Sequence, residues 1–260
     1  CTSVLFNNGR FMFSNVFRFD RNQTPLAVMN ERISQLVQFQ RIKNPDSPVE
    51  LVRVGVPENA ESIAGELTQL LRGVPGNGLA LVVGLGNRAI TPDAVGPKVH
   101  EYTLVTRHLV RQVPEHFGDL RPVASLSAGV LGTTGMESGE LVRAVSERLR
   151  PACVIAVDAL ASRSLKRVCR TVQLADTGIA PGSGVGNHRA ALDRASLGVP
   201  VIAVGVPTVV DGATLAADLL GTEELPPLGE GRDLMVTPKD IDSQVADLSK
   251  VIGYGIDLAL

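Results

Sequence analysis

Apolar residues in this chain are arranged in two alternating patterns. Unbroken runs rich in Val, Ile and Ala cover Leu79 to Val83, Cys153 to Val157 and Val199 to Val206. Such runs predict strands buried on both faces. Between them, apolar positions recur at helical spacing. Ile63, Leu67, Leu70 and Leu71 share one face of a helix predicted over 59–71. Further helices are predicted over 95–110, 137–149 and 209–220, with a short one over 190–196. A last helix is expected to end near Leu258, with Thr237 as its N-cap and Pro238 at its first position. Shorter strands are read over 49–54, 122–126 and 172–174. Strands alternating with helices imply βαβ crossovers. The expected fold is therefore α/β, a three-layer sandwich with a central parallel or mixed sheet.

Residues 1–48 follow neither pattern for long. Phe6, Phe11, Phe13, Phe17 and Phe19 are mixed with Asn, Arg and Asp. Leu26, Met29, Ile33, Leu36 and Val37 predict a helix over 25–42, and Asn44-Pro45-Asp46-Ser47-Pro48 a turn or linker. The chain is accordingly divided into a divergent N-terminal segment, 1–48, and an α/β domain, 49–260. The first residue is Cys1 rather than Met, so an amino-terminal portion is expected to be trimmed or missing.

Composition narrows the function classes. The 260 residues are 44% hydrophobic and 20% charged, as in a globular protein with a substantial core. Net charge is −2 with no basic block, so bulk electrostatics do not favour nucleic acid as a partner. No apolar run reaches the roughly 18 residues of a membrane span, so no membrane association is expected. The three cysteines, Cys1, Cys153 and Cys169, make no disulfide framework, and a reducing cytoplasm is expected.

Two acids stand out against this background. Asp93 follows a predicted strand and Asp158 interrupts the apolar run Val154–Ala161. Ligands of open α/β sheets bind at the carboxyl ends of strands. From the residues alone, Asp93 reads as a helix cap. Asp158 must be paired, hydrogen-bonded or functional, with Arg163 and Lys166 as nearby counter-charges. Asp211 reads as a cap for the next helix, or as a third acid at the same edge.

Other motifs are weaker. Gly84-x-Gly86 follows a strand as a dinucleotide fingerprint does, but position 89 is Ala and the helix begins too late. No P-loop and no Gly-x-Ser-x-Gly elbow occurs. His100, His108, His116 and His188 form no metal-binding pair, although His100 and His108 share roughly one face of the helix over 95–110. Asp176-Thr177-Gly178 is a lone triplet of the pepsin type without the rest of that pattern.

A set of ordered segments carries a resemblance. They include Val82-Val83-Gly84-Leu85-Gly86-Asn87, Thr91-Pro92-Asp93-Ala94-Val95-Gly96-Pro97, Ala156-Val157-Asp158-Ala159-Leu160-Ala161-Ser162-Arg163, Pro181-Gly182-Ser183-Gly184-Val185-Gly186-Asn187 and Gly205-Val206-Pro207-Thr208-Val209-Val210-Asp211. In order and content, over about 49–258, the chain resembles the germination proteases of spore-forming bacteria. These are endopeptidases that degrade small acid-soluble spore proteins.

The resemblance implies an atypical aspartic peptidase whose essential aspartates fall on Asp93 and Asp158. It implies a fold like that of hydrogenase-maturation proteases, a homotetramer made as a zymogen, and residence in the spore core, which is cytoplasmic. No cofactor and no metal is implied. Substrate contacts are expected from Arg163 and from Ser183, Gly184 and Asn187. The loops 127–135 and 179–187 are expected to wall the cleft. Residues 1–48 and the short segment 221–232 depart from the family pattern. Two alternatives on the same fold stay open: a metal-binding, maturation-type peptidase, and a non-catalytic spore protein.

Overall fold

The structure is a computed structural model that describes residues 39–43, 50–54, 60–182, 190–222 and 234–260. In chain order its strands are β1 (Phe39–Lys43), β2 (Glu50–Val54), β3 (Ala80–Leu85), β4 (Val123–Gly129), β5 (Cys153–Ser162), β6 (Thr171–Ala175), β7 (Val201–Asp211) and β8 (Met235–Val236). They form one mixed sheet of order β1-β2-β6-β7-β5-β3-β4, with β8 paired to the end of β7. The neighbours β4, β3, β5 and β7 are mutually parallel. β6, β2 and β1 continue the sheet in antiparallel fashion. The helices are α1 (Ala60–Leu70), α2 (Val95–Tyr102), α3 (Arg107–Gln112), α4 (Pro114–Phe117), α5 (Leu131–Thr134), α6 (Ser138–Leu149), α7 (Arg194–Leu197), α8 (Gly212–Leu220) and α9 (Ile241–Ala259).

The central strands read as continuous apolar runs because both of their faces are covered. Val82 of β3 and Ile155 and Val157 of β5 join a core with Ile63 and Leu67 of α1, Val95 and Val99 of α2, and Val245, Ile252 and Ile256 of α9. Leu81, Val83 and Leu85 point the other way, into a second core with Val154, Ala156 and Val142 of α6. The two-residue period of a strand sends its side chains to opposite faces. This is the three-layer α/β sandwich expected from the chain.

Local expectations fail where tertiary partners intervene. The helix expected over 95–110 stops at Tyr102 and restarts at Arg107. Between them the backbone is tied sideways: Leu104 N–H donates to the Asp257 carboxylate at 2.9 Å, and Thr106 Oγ1 accepts the Val123 amide at 2.8 Å. His100 and His108 therefore lie on different helices. The last helix begins at Ile241 with Asp240 at its N-cap, not at Thr237. Thr237 Oγ1 instead donates to the Thr208 carbonyl at 2.9 Å, just after β8 adds to β7. Positions 39–42 of the helix expected over 25–42 are strand, and its remainder lies outside the described residues.

Asp211 is the cap of α8. Its Oδ1 accepts the Thr214 amide at 2.8 Å and its Oδ2 the Thr214 hydroxyl at 2.6 Å. Asp211→Ala should cost about 1 kcal/mol, read in denaturant unfolding.

Asp247, buried on α9, offers a pH test. Burial pushes its carboxyl up to about 7, against the pull of Lys250 and Lys98. The folded protein then holds this proton up to about pH 7, whereas the unfolded chain releases it near about 4. Its contribution to stability is present below the unfolded value and is lost as pH rises through the folded one. Asp247→Asn should melt at a higher temperature than wild type at pH 8, and the gap should shrink towards pH 4.

Candidate active site

The carboxyl end of β3 faces that of β5, and this is where the connections diverge. After β3 the chain moves out to β4 at one side, and after β5 it moves to β6 and β7 on the other. Such a switch point leaves a crevice between neighbouring strand ends. The sequence builds both walls.

The first wall follows β3. Gly86 has φ +106°, a left-handed conformation that turns the chain out of the sheet. A Cβ there would sit 2.2 Å from the Asp93 carbonyl oxygen. The absence of a side chain lets residues 91–93 fold back as a single 3₁₀ turn. Asp93 Oδ2 accepts the Asn87 amide at 2.7 Å, which pins the two ends of this loop together. The helix cap expected of Asp93 is not its place, because the N-cap of α2 is Ala94. Thr91 Oγ1 donates to Asp242 of α9 at 2.9 Å and anchors the loop from outside.

The second wall is β5. Asp158 is 5% exposed. Pairing with β3 ends at Gly84↔Val157, whereas pairing with β7 continues from Asp158↔Gly205. Asp158 is thus the first residue of β5 beyond its β3 neighbour. Its Oδ1 accepts the Ala159 amide at 2.9 Å, one of the bonds that let an acid sit in an apolar run.

Both carboxylates line one cleft of about 460 Å³. Val130 and Ser138, at the ends of α5 and α6, Ala180, Pro181 and Gly182, Thr208 and Val209 of β7, Met235 of β8 and Thr237 just after it also line the cleft. The two expected wall loops are thus represented by Val130 and by residues 180–182. Ser183, Gly184 and Asn187 lie outside the described residues. Arg163 is exposed just past β5 and is not among the residues lining the cleft.

Among the described residues, no group of three or more His, Cys, Asp or Glu side chains is arranged to hold a metal ion. His100 Nδ1 shares a 2.7 Å hydrogen bond with Ser125 Oγ, and burial, with the nearby Arg88 charge, holds its pKa below the ordinary histidine value.

Sequence reasoning did not assign three glycines their part. Gly84 and Gly96 let α2 press directly on the sheet: a Cβ on Gly84 would meet the Gly96 carbonyl at 2.2 Å. With Gly86 they set the position of the Asp93 loop. The signal was present as Gly84-x-Gly86, but the pattern belongs to backbone packing rather than to a dinucleotide. Thr208 and Thr237, joined by a hydrogen bond and both lining the cleft, lie in segments the sequence singled out, but neither was assigned to the site.

The sequence profile described as germination protease matches residues 36–222. The chain belongs to the germination protease family. It is 44% identical over 234 residues to the germination protease of Clostridium perfringens strain 13, covering 78% of this chain and 72% of that one. Identity to the Clostridium tetani protein is 46% over 215 residues, with 70% and 66% covered. Identity to the Bacillus pumilus protein is 37% over 289 residues, with 86% and 76% covered. Among solved structures, a [NiFe] hydrogenase maturation protease, HycI from Thermococcus kodakarensis, aligns with a TM-score of 0.40 and 18% identity, over 74% of this chain and 98% of that one. Membership of the family makes this chain a protease of spore germination. No helix of the described residues is long and apolar enough to cross a membrane.

Proposed function

We propose that the protein is an endopeptidase that hydrolyses small acid-soluble spore proteins in the spore core, with Asp93 and Asp158 as its catalytic acids. The observation that carries this is the meeting of the two carboxylates in one cleft, at the switch point of the sheet. One ionised carboxylate takes a proton from a water as the water attacks the peptide carbonyl. The other, protonated, donates its proton to the carbonyl oxygen. As the C–N bond breaks, the first acid gives the proton it took from water to the leaving amine, and the second recovers its proton from the hydroxyl of the collapsing tetrahedral intermediate. Two acids facing a shared water resist double ionisation, so one proton stays between them and their titration belongs to the pair. Substrate contacts from Arg163, Ser183, Gly184 and Asn187 belong to the same proposal. So do a homotetramer and synthesis as a zymogen, which light scattering and the amino terminus of the active form would test.

The test is incubation of the purified protein with a small acid-soluble spore protein, beside Asp93→Asn and Asp158→Asn. Fragments from wild type alone, undiminished by EDTA, are the expected result. Cleavage at wild-type rate by folded Asp158→Asn would sink the two-aspartate reading. Loss with EDTA and recovery with a divalent metal would transfer the site to metal-assisted hydrolysis.

A further inference from the structure

We propose that the substrate chain binds as an added β-strand along the open edge of β5, in the place that a longer β3 would occupy. This rests on the cleft being the peptidase site.

The edge is a consequence of the register. β3 accompanies β5 only as far as Gly84↔Val157, while β5 runs on to Ser162 and stays paired with β7 up to Ser162↔Val210. Among the described residues, no strand lies on the β3 side of Asp158–Ser162. The cause is Gly86, whose positive φ throws the chain out of the sheet one residue after β3 ends. An open strand edge presents a row of backbone donors and acceptors, a template for another chain.

The backbone groups on that edge can be assigned. Val154 N–H donates to the Pro200 carbonyl, on the β7 side. Residues alternate in the side to which their backbone groups point, so Asp158 and Leu160 also turn towards β7. Ala159 turns the other way, and Ala161 with it where the alternation carries through the register shift between Leu160 and Ala161. The Ala159 amide is taken by Asp158 Oδ1. Among the described residues, the Ala159 carbonyl is then an acceptor and the Ala161 amide a donor facing the cleft. Asp158, Ala159, Leu160 and Ala161 all line it.

The surroundings suit an extended chain. Four extended residues span about 13 Å. Ile90, in the loop after β3, and Met235, on β8, both line the cleft and are 54% and 43% exposed. Apolar substrate side chains would cover them, at the alternate positions that a strand points to one face. Because Asp158 is the first residue of the open edge, an added strand brings its own backbone carbonyls to Asp158 and to Asp93 across the cleft. Main-chain pairing of this kind gives affinity with little dependence on sequence. It also demands a substrate segment free to become a strand, which an unstructured protein supplies.

The experiment uses a synthetic ten-residue peptide spanning a mapped cut in a small acid-soluble spore protein, methylated at one backbone nitrogen at a time. N-methylation removes a donor and leaves the side chain intact. The expected result is a fall in kcat/KM of at least about tenfold at alternate positions, with the intervening ones changed less than about threefold. Equal tolerance, or equal loss, at every position overturns the proposal. A second readout is amide hydrogen exchange of residues 158–162 in wild-type protein with the same peptide carrying an uncleavable reduced scissile bond. Slowing of about tenfold or more is expected, and unchanged exchange there overturns the proposal. Neither readout needs Asp158 to be the base. An alternating pattern together with a fully active Asp158→Asn would reject the two-aspartate reading alone. A dead Asp158→Asn with no pattern would reject the added strand alone.

Discussion

Asp158→Asn protein is expected to fold as wild type does and to cleave at least about 10³-fold more slowly. The substitution keeps the shape of the side chain. An Asn carbonyl oxygen can still accept the Ala159 amide that Asp158 Oδ1 accepts at 2.9 Å. Burying a neutral amide in place of an acid that is 5% exposed adds no desolvation penalty. The melting temperature should therefore stay within a few degrees of wild type. The rate should not, because an amide can neither take a proton from water nor return one to the leaving amine. Asp93→Asn should lose activity on the same scale while keeping an acceptor for the Asn87 amide. Single-turnover cleavage of a spore-protein peptide, with thermal melts of both variants, checks the pair. If the double variant is no slower than either single one, the two carboxylates act as one unit.

The second large effect is expected far from any ionisable group. Gly96→Ala should destabilise the fold by about 3 kcal/mol and lower activity in the protein that remains folded. A Cβ at position 96 would lie 2.2 Å from the Leu85 carbonyl, 2.5 Å from the Leu85 nitrogen and 2.5 Å from the Val157 carbonyl. All three are backbone atoms of the central strands β3 and β5, so none can rotate aside. The helix α2 must lift off the sheet instead. Asp93 lies three residues before Gly96 and is tied to Asn87 at the end of β3, so the loop between them deforms with it. Gly65→Ala is the control: it lies on α1 with open space around its Cβ position, and should be neutral or slightly stabilising. Urea unfolding of both variants, beside peptide cleavage, measures the contrast.

Much of the sheet was legible because burial on both faces leaves a local mark. Leu79–Val83, Cys153–Val157 and Val199–Val206 are apolar without interruption, and each lies within or beside a parallel central strand. Their ends were less legible. β5 and β7 run on to Ser162 and Asp211, past the apolar runs, because each still has the other to pair with. The break in the helix expected over 95–110 was invisible for a related reason. Its cause is the Asp257 carboxylate, 153 positions away from Leu104 in the chain.

The site divides in the same way. Asp158 drew attention by itself, since an acid in an apolar run needs an explanation. Asp93 did not, and its reading as a helix cap was sound on local grounds. What set it aside was the backbone of Gly86, which turns the loop so that the carboxylate meets Asn87 and faces the cleft. Asp211 shows the opposite outcome: a cap on local grounds and a cap in the fold, because its bonds reach only three residues ahead.

By itself, then, the sequence determined the fold class, the central strands, the family and the anomaly of Asp158 in an apolar run, because hydrophobic runs and short motifs are local. The tertiary structure decided that the acids share one cleft, that α2 touches the sheet backbone-to-backbone, and that β5 outruns β3 to leave an open edge. Those depend on register, on a positive φ and on contacts between residues far apart in the chain, and no local pattern encodes the distance between two strand ends.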